Sequence, residues 1–200
     1  MRMLITAVVF STIFLASCYA ARIDGPYRGK VIDADTREPI EGVVVLGTWY
    51  REIVTPGGAV HNYYDAMETV TDKNGEFEIK GLGLLVMSNV IPMDVLIFKA
   101  GYEYESGSWK GLRSRGRRWN ENEESYDPTL RTKVKKPVFD FKVKVTYEGD
   151  KAIIPLKKLT MEERNTSITF PPSPPIQAAR EKIKIMMEEI RKERKERGLD

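Results

Sequence analysis

The chain contains one cysteine, Cys18, and one histidine, His61, in 200 residues. A single cysteine excludes a disulfide within the chain. A single histidine excludes a zinc site built on several imidazoles, and it restricts any serine–histidine triad to the surroundings of His61. Gly-x-Ser-x-Gly and His-Glu-x-x-His motifs are also missing. We therefore predict no catalytic residue, no metal ligand and no cofactor, and a protein that is not an enzyme.

Neither sign of charge dominates, because 32 basic residues stand against 29 acidic ones for a net charge of +3. This balance does not indicate a nucleic-acid-binding surface and is typical of a solvated surface of mixed charge.

Long apolar runs are missing too. The run Leu4–Phe14 has eleven residues, whereas a membrane-spanning helix needs about 20. Its length is that of a signal-peptide h-region, which follows the positive segment Met1-Arg2-Met3.

The run ends in Leu15-Ala16-Ser17-Cys18, which resembles the bacterial lipoprotein signal. Small residues let a peptidase hold an extended chain before the cut, and the cysteine thiol accepts the diacylglycerol. We expect residues 1–17 to be a lipoprotein signal peptide and acylated Cys18 to make the membrane a partner, because acyl chains contribute about 0.8 kcal/mol per buried methylene. The alternative is an ordinary secretory signal with an incidental cysteine. In lipoproteins of many Gram-negative bacteria, an aspartate directly after the cysteine favours retention in the inner membrane. Tyr19 stands here, so the outer membrane is expected in a host that has one.

Beyond a tether at residues 18–27, alternating and β-branched segments predict about seven strands. The predicted strands include Arg28–Ala34, Ile40–Tyr50, Met67–Thr71, Glu76–Lys80, Asp94–Ala100, Pro137–Tyr147 and Ala152–Leu156. Pro155 suits an edge or a strand end. Thr55–Gly58 is predicted as a loop that His61–Asp65 extends. Seven strands in fewer than 130 residues indicate a mostly β fold, a small antiparallel sandwich.

Asp72-Lys73-Asn74-Gly75 predicts a hairpin turn, since Asn and Gly tolerate positive φ. The alternation in Glu76–Lys80 places Phe77 and Ile79 towards a core. Asp33, Asp35, Asp72 and Asn74 are oxygen donors near turns, but calcium requires about 6–8 converging oxygens. Side-chain-to-backbone bonds within the turns are the preferred interpretation. His61, beside Tyr63, Tyr64 and Asp65, is interpreted as an exposed loop histidine.

Four segments in order resemble the carboxypeptidase regulatory-like domain. They are Gly29-Lys30-Val31-Ile32-Asp33, Glu38-Pro39-Ile40-Glu41-Gly42-Val43-Val44-Val45, Thr71-Asp72-Lys73-Asn74-Gly75-Glu76-Phe77 and Lys99-Ala100-Gly101-Tyr102. The resemblance implies a seven-stranded, transthyretin-like (immunoglobulin/prealbumin-like) sandwich over residues 28–160. It also implies an accessory, non-catalytic module that supports folding or makes contacts. The sequence departs from the family by an insertion at about residues 103–136.

The insertion holds an unusual patch of two indoles and five cations, which could bind an anionic glycan, lipid headgroups or the acidic face of an envelope protein. The patch consists of Trp109, Lys110, Arg113, Arg115, Arg117, Arg118 and Trp119. The alternative is a solvated loop with local ion pairs, to which Glu121, Glu123 and Glu124 would contribute.

A Pro-rich linker at residues 161–175 precedes an amphipathic, highly charged helix at residues 176–197. At the end of the linker, Ser173 is a residue type that can cap a helix and Pro174 one that can occupy a first helical position. An apolar stripe recurs every three or four residues, at Ile176, Ala179, Ile183, Met186 and Ile190. The helix either docks on the sandwich through this stripe or projects to pair with another helix.

Overall fold

The computed structural model describes residues 21–109, 124–127, 132–135, 145–166 and 180–199. Alternating and β-branched segments give a mostly β chain with short helices at its C-terminal side. The strands are β1 Ala21–Asp24, β2 Tyr27–Asp33, β3 Val44–Thr55, β4 Gly58–Val70, β5 Glu76–Ile79, β6 Gly83–Val86, β7 Asp94–Phe98, β8 Glu105–Ser108, β9 Glu124–Asp127, β10 Thr132–Lys135, β11 Thr146–Glu148 and β12 Lys151–Leu156. The helices are α1 Met161–Thr166, a 3₁₀ turn Arg180–Lys182 and α2 Lys184–Glu196.

Two four-stranded sheets share one core. The first sheet has the order β11-β12-β2-β5 and the second has the order β4-β3-β7-β8. Alternate side chains of the two sheets meet in a single buried cluster, as expected when sheets pack face to face. The cluster includes Val31, Phe77, Ile79 and Ile154 from the first sheet and Val45, Trp49, Val95 and Ile97 from the second. The predicted core positions Phe77 and Ile79 are thus confirmed.

One strand pair departs from the antiparallel expectation. β12 lies beside β2 in parallel, with Ile154 opposite Val31. β12 is also flanked by β11, so it is not an edge strand. The antiparallel pairing with β11 stops at Ile153, and Pro155 therefore lies beyond it, where no ladder hydrogen bond to β11 is needed.

β3 and β4 form a hairpin much longer than the sequence predicts. Their antiparallel register runs from Val44 opposite Val70 to Thr55 opposite Gly58, with a bulge at Trp49/Tyr50. His61–Asp65, predicted as loop, lie within β4; that prediction was wrong. The pattern is hidden because the outer half of the hairpin is solvated on both faces, so no alternation of apolar residues marks it.

The Asp72–Gly75 turn does not close a hairpin of paired strands, which corrects the sequence prediction. It carries the chain from β4 in the second sheet to β5 in the first. The Asp72 carboxylate accepts the backbone N–H of Asn74 at 2.9 Å and that of Glu76 at 2.8 Å. Gly75 has φ +73°, and an added Cβ would stand 2.4 Å from the carbonyl oxygen of Val31. The turn thus needs glycine for both reasons.

The segment predicted as an irregular insertion contributes structure where it is described. β8 pairs with β7 at the edge of the second sheet, and β9 pairs with β10 as a separate two-stranded ribbon. Within the predicted linker at residues 161–175, Met161–Thr166 forms α1. Ser173, Pro174, Ile176 and Ala179 lie outside the described residues.

α2 docks on the outer face of the second sheet, as one of the two interpretations predicts. Met186 and the residue that precedes the helix, Ile183, are buried with Val44, Leu46, Ala66, Leu96 and Phe98. The Glu68 carboxylate accepts the N–H groups of Ile185 and Met186 at 2.9 and 3.0 Å, which satisfies free donors at the start of the helix. At the other end of α2, Glu193 accepts the Gly101 N–H at 2.9 Å.

Candidate interaction surface at the ribbon end

The N-terminal segment forms a ribbon that closes one end of the sandwich. β1 pairs antiparallel with β6, placing Ala21 opposite Val86 and Ile23 opposite Leu84. We call β1 and β6 the β1–β6 ribbon and this end of the sandwich the ribbon end. β2 runs away from it for seven residues, about 20 Å at the usual rise, and α1 follows β12 at the opposite end. The residues predicted as a tether therefore include a paired strand.

Asp24 fastens the ribbon to the core. Its carboxylate is buried and accepts hydrogen bonds from the Tyr27 hydroxyl at 2.6 Å, the Trp49 Nε1–H at 2.8 Å and the Leu82 N–H at 3.1 Å. Three donors converge on the two oxygens, so the buried charge is well compensated. The second ribbon contact is Arg22, whose guanidinium donates to the Val90 carbonyl at 2.5 Å.

The Tyr27 hydroxyl is held as a donor and not as a base. Burial raises the pKa of Tyr27 well above its usual value of 10, and its hydrogen bond to Asp24 adds to the rise. The hydroxyl is therefore protonated at neutral pH, and its proton already points to Asp24. The Asp24–Tyr27–Trp49 cluster thus performs a structural task at this end of the sandwich.

An open cleft of about 470 Å³ lies beside this cluster. Its wall includes Ile23, Tyr27, Trp109 and the charged groups Arg28 and Asp150. Arg28 donates to Glu78 at 2.7 Å and to Asp150 at 3.1 Å, and this bond to Arg28 is the main cause of the lowered pKa of Asp150. Among the described residues of the wall, Arg28 and Asp150 therefore offset each other's charge.

Trp109 is the member of the predicted ligand loop that the structure describes, and it lies in the core. It is 6% exposed and packs edge-on against Tyr27 and Phe77, with ring centroids 5.5 and 6.1 Å away. An indole so placed contributes to the core and cannot stack on a sugar. Lys110, Arg113, Arg115, Arg117, Arg118 and Trp119 lie outside the described residues.

The predicted lipidation residue, Cys18, also lies outside the described residues. The chain enters the described structure three residues later, at Ala21, which is the first residue of the ribbon. Three residues span at most about 11 Å. The ribbon end therefore carries the described residue that follows Cys18 most closely in the chain.

The outward face of the β1–β6 ribbon is apolar. Because side chains alternate in a strand, Ala21, Ile23, Leu84 and Val86 share one face and Arg22, Asp24 and Leu85 share the other. Ile23 is 77% exposed, Leu84 67% and Val86 59%, whereas Asp24 is buried and Leu85 packs on the core. Met87 follows at 86% exposure with φ +46°.

The tip of the β3–β4 hairpin carries a second exposed apolar group. Val54 is 82% exposed, and Ile53 and Val60 are exposed beside it. The hairpin extends beyond the ribbon end. Trp49 of β3 bonds to Asp24 at that end, and the tip lies further along the hairpin, at residues 55–58. Asn89, three residues after the ribbon, donates to the Glu52 carbonyl at 2.9 Å and so braces the hairpin.

His61 lies on β4 and faces solvent with Glu52, whose carboxylate is 3.7 Å from Nε2. Asp94 stands at the start of β7, where burial raises the pKa of its carboxyl to about 6, an effect that the charge of His61 partly opposes. Within the described ranges, no three His, Cys, Asp or Glu side chains converge as metal ligands. None of the helices described there is long and apolar enough to cross a bilayer.

The other oxygen donors singled out from the sequence form turns. The Asp33 carboxylate accepts the N–H groups of Asp35 and Thr36 at 2.9 and 3.0 Å. These backbone donors, with the Thr36 bond the stronger influence, lower the pKa of Asp33. Asp72 is occupied in the same way, so the turn interpretation holds for both aspartates.

No family model, no curated protein and no solved structure matches this chain. The β1–β6 ribbon is the part of the surface that sequence reasoning missed. A signal for it exists in the alternation of Ala21-Arg22-Ile23-Asp24 and in the apolar run Leu84-Leu85-Val86 between Gly83 and Met87. Each strand has only four residues, too few to mark a strand without knowledge of its partner.

Proposed function

We propose that the chain is a membrane-anchored lipoprotein of the bacterial cell envelope, held in the outer membrane by acylated Cys18. Its transthyretin-like sandwich, of the carboxypeptidase regulatory-like type, is a non-enzymatic module for structural support or for contact with an envelope protein. The lipoprotein signal and the four ordered sequence segments support the first part of this proposal. Two four-stranded sheets around a common core support the second.

The observation that carries the contact role is the β3–β4 hairpin. Strands of 12 and 13 residues are long compared with the usual 5–6, and the hairpin ends in exposed Ile53, Val54 and Val60. Exposed apolar side chains on a projecting element are typical of protein interaction sites. The hairpin is also ordered by cross-strand pairing as far as Thr55 and Gly58.

Crosslinking in living cells tests the contact role. A photo-reactive amino acid at Val54 is expected to give an adduct with an envelope protein. The same amino acid at Met161 is the matched control, because Met161 is exposed and apolar but lies at the opposite end of the sandwich. Equal adduct patterns at the two positions would refute a contact site at the hairpin tip.

The anchor and the fold have separate tests. Labelled palmitate is expected to enter the wild-type chain and to be lost in Cys18→Ala; label that survives this substitution would refute the anchor. A circular dichroism spectrum without antiparallel sheet would refute the sandwich.

The alternative function is binding of an anionic glycan or anionic lipid headgroups through the loop at residues 109–119. Its support is that the chain enters this loop at Trp109, in the wall of the open cleft. Replacing Arg113, Arg115, Arg117 and Arg118 together by Gln is expected to abolish binding in a glycan and lipid screen. Replacing Arg191 and Arg194 of α2 gives a charge-loss control. A screen in which the intact protein binds nothing removes this alternative.

A further inference from the structure

We infer that the outward face of the β1–β6 ribbon, with Met87, is a bilayer-docking surface that holds the sandwich against the membrane beside its anchor. This inference rests on the proposed acylation of Cys18. It assigns a surface and an orientation, which the anchor alone does not provide, since a lipid on a free tether would leave the module able to tumble.

Polar and apolar side chains alternate in the ribbon, but their directions are the reverse of those in a strand whose outer face is solvated. Its polar side chains, Arg22 and Asp24, point inwards and have protein partners, while Ile23, Leu84 and Val86 point outwards. A strand on water normally buries its apolar face and exposes its polar face. The ribbon therefore has the polarity of an element whose outer face is covered.

The ribbon cannot relieve this exposure by turning over. Reversing its face would bring Ile23 and Leu84 inwards, remove the Asp24 carboxylate from the Trp49 Nε1–H and the Leu82 N–H, and leave those donors unpaired. The exposed face is thus fixed by the buried hydrogen bonds behind it. Met87 extends the surface from a left-handed backbone, a conformation that non-glycine residues rarely adopt.

The position of Ala21, the first described residue, points to the bilayer as the occupant. Ala21 lies on the outward face opposite Val86, and the three residues from Cys18 to Ala21 reach at most about 11 Å. Interfacial apolar side chains enter about 5–10 Å into the boundary between headgroups and acyl chains. An acylated Cys18 would therefore bring this face within reach of that depth without any further tether.

Site-directed fluorescence on the acylated protein tests the inference. Cys18 is the only cysteine, and acylation blocks its thiol, so a cysteine introduced by Leu84→Cys or Met87→Cys is the single labelling site. Met161→Cys is the matched control. It replaces an exposed apolar side chain, 49% accessible, at the opposite end of the sandwich. Each acylated variant is labelled with bimane and reconstituted into phosphatidylethanolamine–phosphatidylglycerol vesicles that contain a shallow doxyl lipid quencher.

The expected result is strong quenching and a blue-shifted emission at positions 84 and 87, with neither change at position 161. Equal quenching at the three positions would overturn the inference. A blue shift at position 84 that grows with protein concentration in the absence of vesicles would also overturn it, by assigning the face to a second copy of the chain. A third contrary result is a probe at positions 84 and 87 that is water-exposed in pure lipid vesicles and protected only in native membranes. It would assign the face to a protein partner and overturn the inference as well.

Failure of this inference is distinguishable from failure of the anchor. Palmitate labelling of each variant reports acylation before any vesicle measurement. A labelled chain whose Leu84→Cys probe remains water-exposed refutes the docking surface alone, and an unlabelled chain refutes the lipoprotein proposal. A Leu84→Ser/Met87→Ser variant provides an independent measurement: it should keep its palmitate and its circular dichroism spectrum, while cleavage by an added protease within the ribbon of the vesicle-bound protein increases. Unchanged cleavage would contradict the docking surface.

Discussion

Arg164 and Glu193 form a buried ion pair that ties α1 to α2. Arg164 Nε donates to one Glu193 oxygen at 3.0 Å and its Nη2 donates to the other at 2.5 Å. Glu193 also accepts the Gly101 N–H, and Glu196 supplies a second, more exposed carboxylate to Arg164 at 2.7 Å. The C-terminal helix is therefore held by an ion pair at one end as well as by its apolar stripe.

Glu193→Ala is expected to lower the free energy of unfolding by about 3–5 kcal/mol, because it leaves the Arg164 charge buried without its main partner. Glu196→Ala removes the more exposed carboxylate and should cost less than about 1 kcal/mol. Urea unfolding of both variants measures the difference. Similar losses for the two would show that the buried pair adds nothing beyond a surface ion pair.

Asp24→Asn is expected to destabilise the protein by about 1–3 kcal/mol. The amide nitrogen replaces an acceptor with a donor, so at least one of the Tyr27, Trp49 and Leu82 donors loses its bond. Asp150→Asn, at the exposed rim of the same cleft, should leave the unfolding midpoint almost unchanged. Hydrogen exchange at the ribbon amides is the second measurement: it should accelerate in Asp24→Asn and not in Asp150→Asn. Unaltered exchange in both would mean that Asp24 does not hold the ribbon.

Stability is expected to fall as pH rises through the titration of Asp94. The pKa of its carboxyl is raised from 3.8 to about 6 in the folded protein, so the native state binds its proton more tightly than the unfolded state does. The native state consequently loses this advantage between about pH 4 and pH 6. Asp94→Asn removes the titration and should be more stable than wild type at pH 7, by at most about 3 kcal/mol.

Urea midpoints of wild type and Asp94→Asn across this pH range measure the effect. His61→Gln is the companion variant, because the charge of His61 lowers the pKa of Asp94; its loss should extend the fall in stability to higher pH. Parallel pH profiles for wild type and Asp94→Asn would contradict the assignment.

Gly75→Ala is expected to cost on the order of 2–5 kcal/mol, since the positive φ is strained for alanine and the new Cβ meets the Val31 carbonyl. Gly149→Ala is the matched control. Gly149 also has positive φ, +63°, but an added Cβ meets nothing within 4 Å, so about 1–2 kcal/mol is expected from strain alone. Thermal or urea unfolding separates the two, and equal costs would show that the close approach to Val31 is relieved without penalty.

Sequence reasoning worked where one strand carries its own signal. β2, β5, β7 and β12 lie close to their predicted bounds, because alternation or a β-branched run marks each of them locally. The docking of α2 was one of the two arrangements that the spacing of Ile183, Met186 and Ile190 on one face allowed. The turn chemistry of Asp72 was foreseen as well, although the sheets that the turn connects were not.

The remaining features depend on partners distant in sequence. Ala21 pairs with Val86 and Asp24 bonds to Trp49, and no local pattern states either relationship. Trp109 is a second example, in which a local pattern suggests a role that distant residues do not support. A tryptophan next to a cationic segment suggests a ligand loop, and only the arrangement of Tyr27 and Phe77 places it in the core. For the candidate surface, the sequence therefore predicts the lipid attachment at Cys18, but it does not predict the apolar face of the β1–β6 ribbon.

The parallel pairing of β2 with β12 sets the order in which the molecule can be completed. Val31 and Ile154 are neighbours in the first sheet although more than a hundred residues separate them along the chain. Closing so large a loop has an entropic cost, and this cost slows the pairing of the two strands. Until residue 156 is available, β2 presents an unpaired edge, which is a template for wrong association. During synthesis, the β2 edge of the first sheet therefore remains unpaired until β12 has been made. A stop codon anywhere before β12 would leave that edge permanently uncovered.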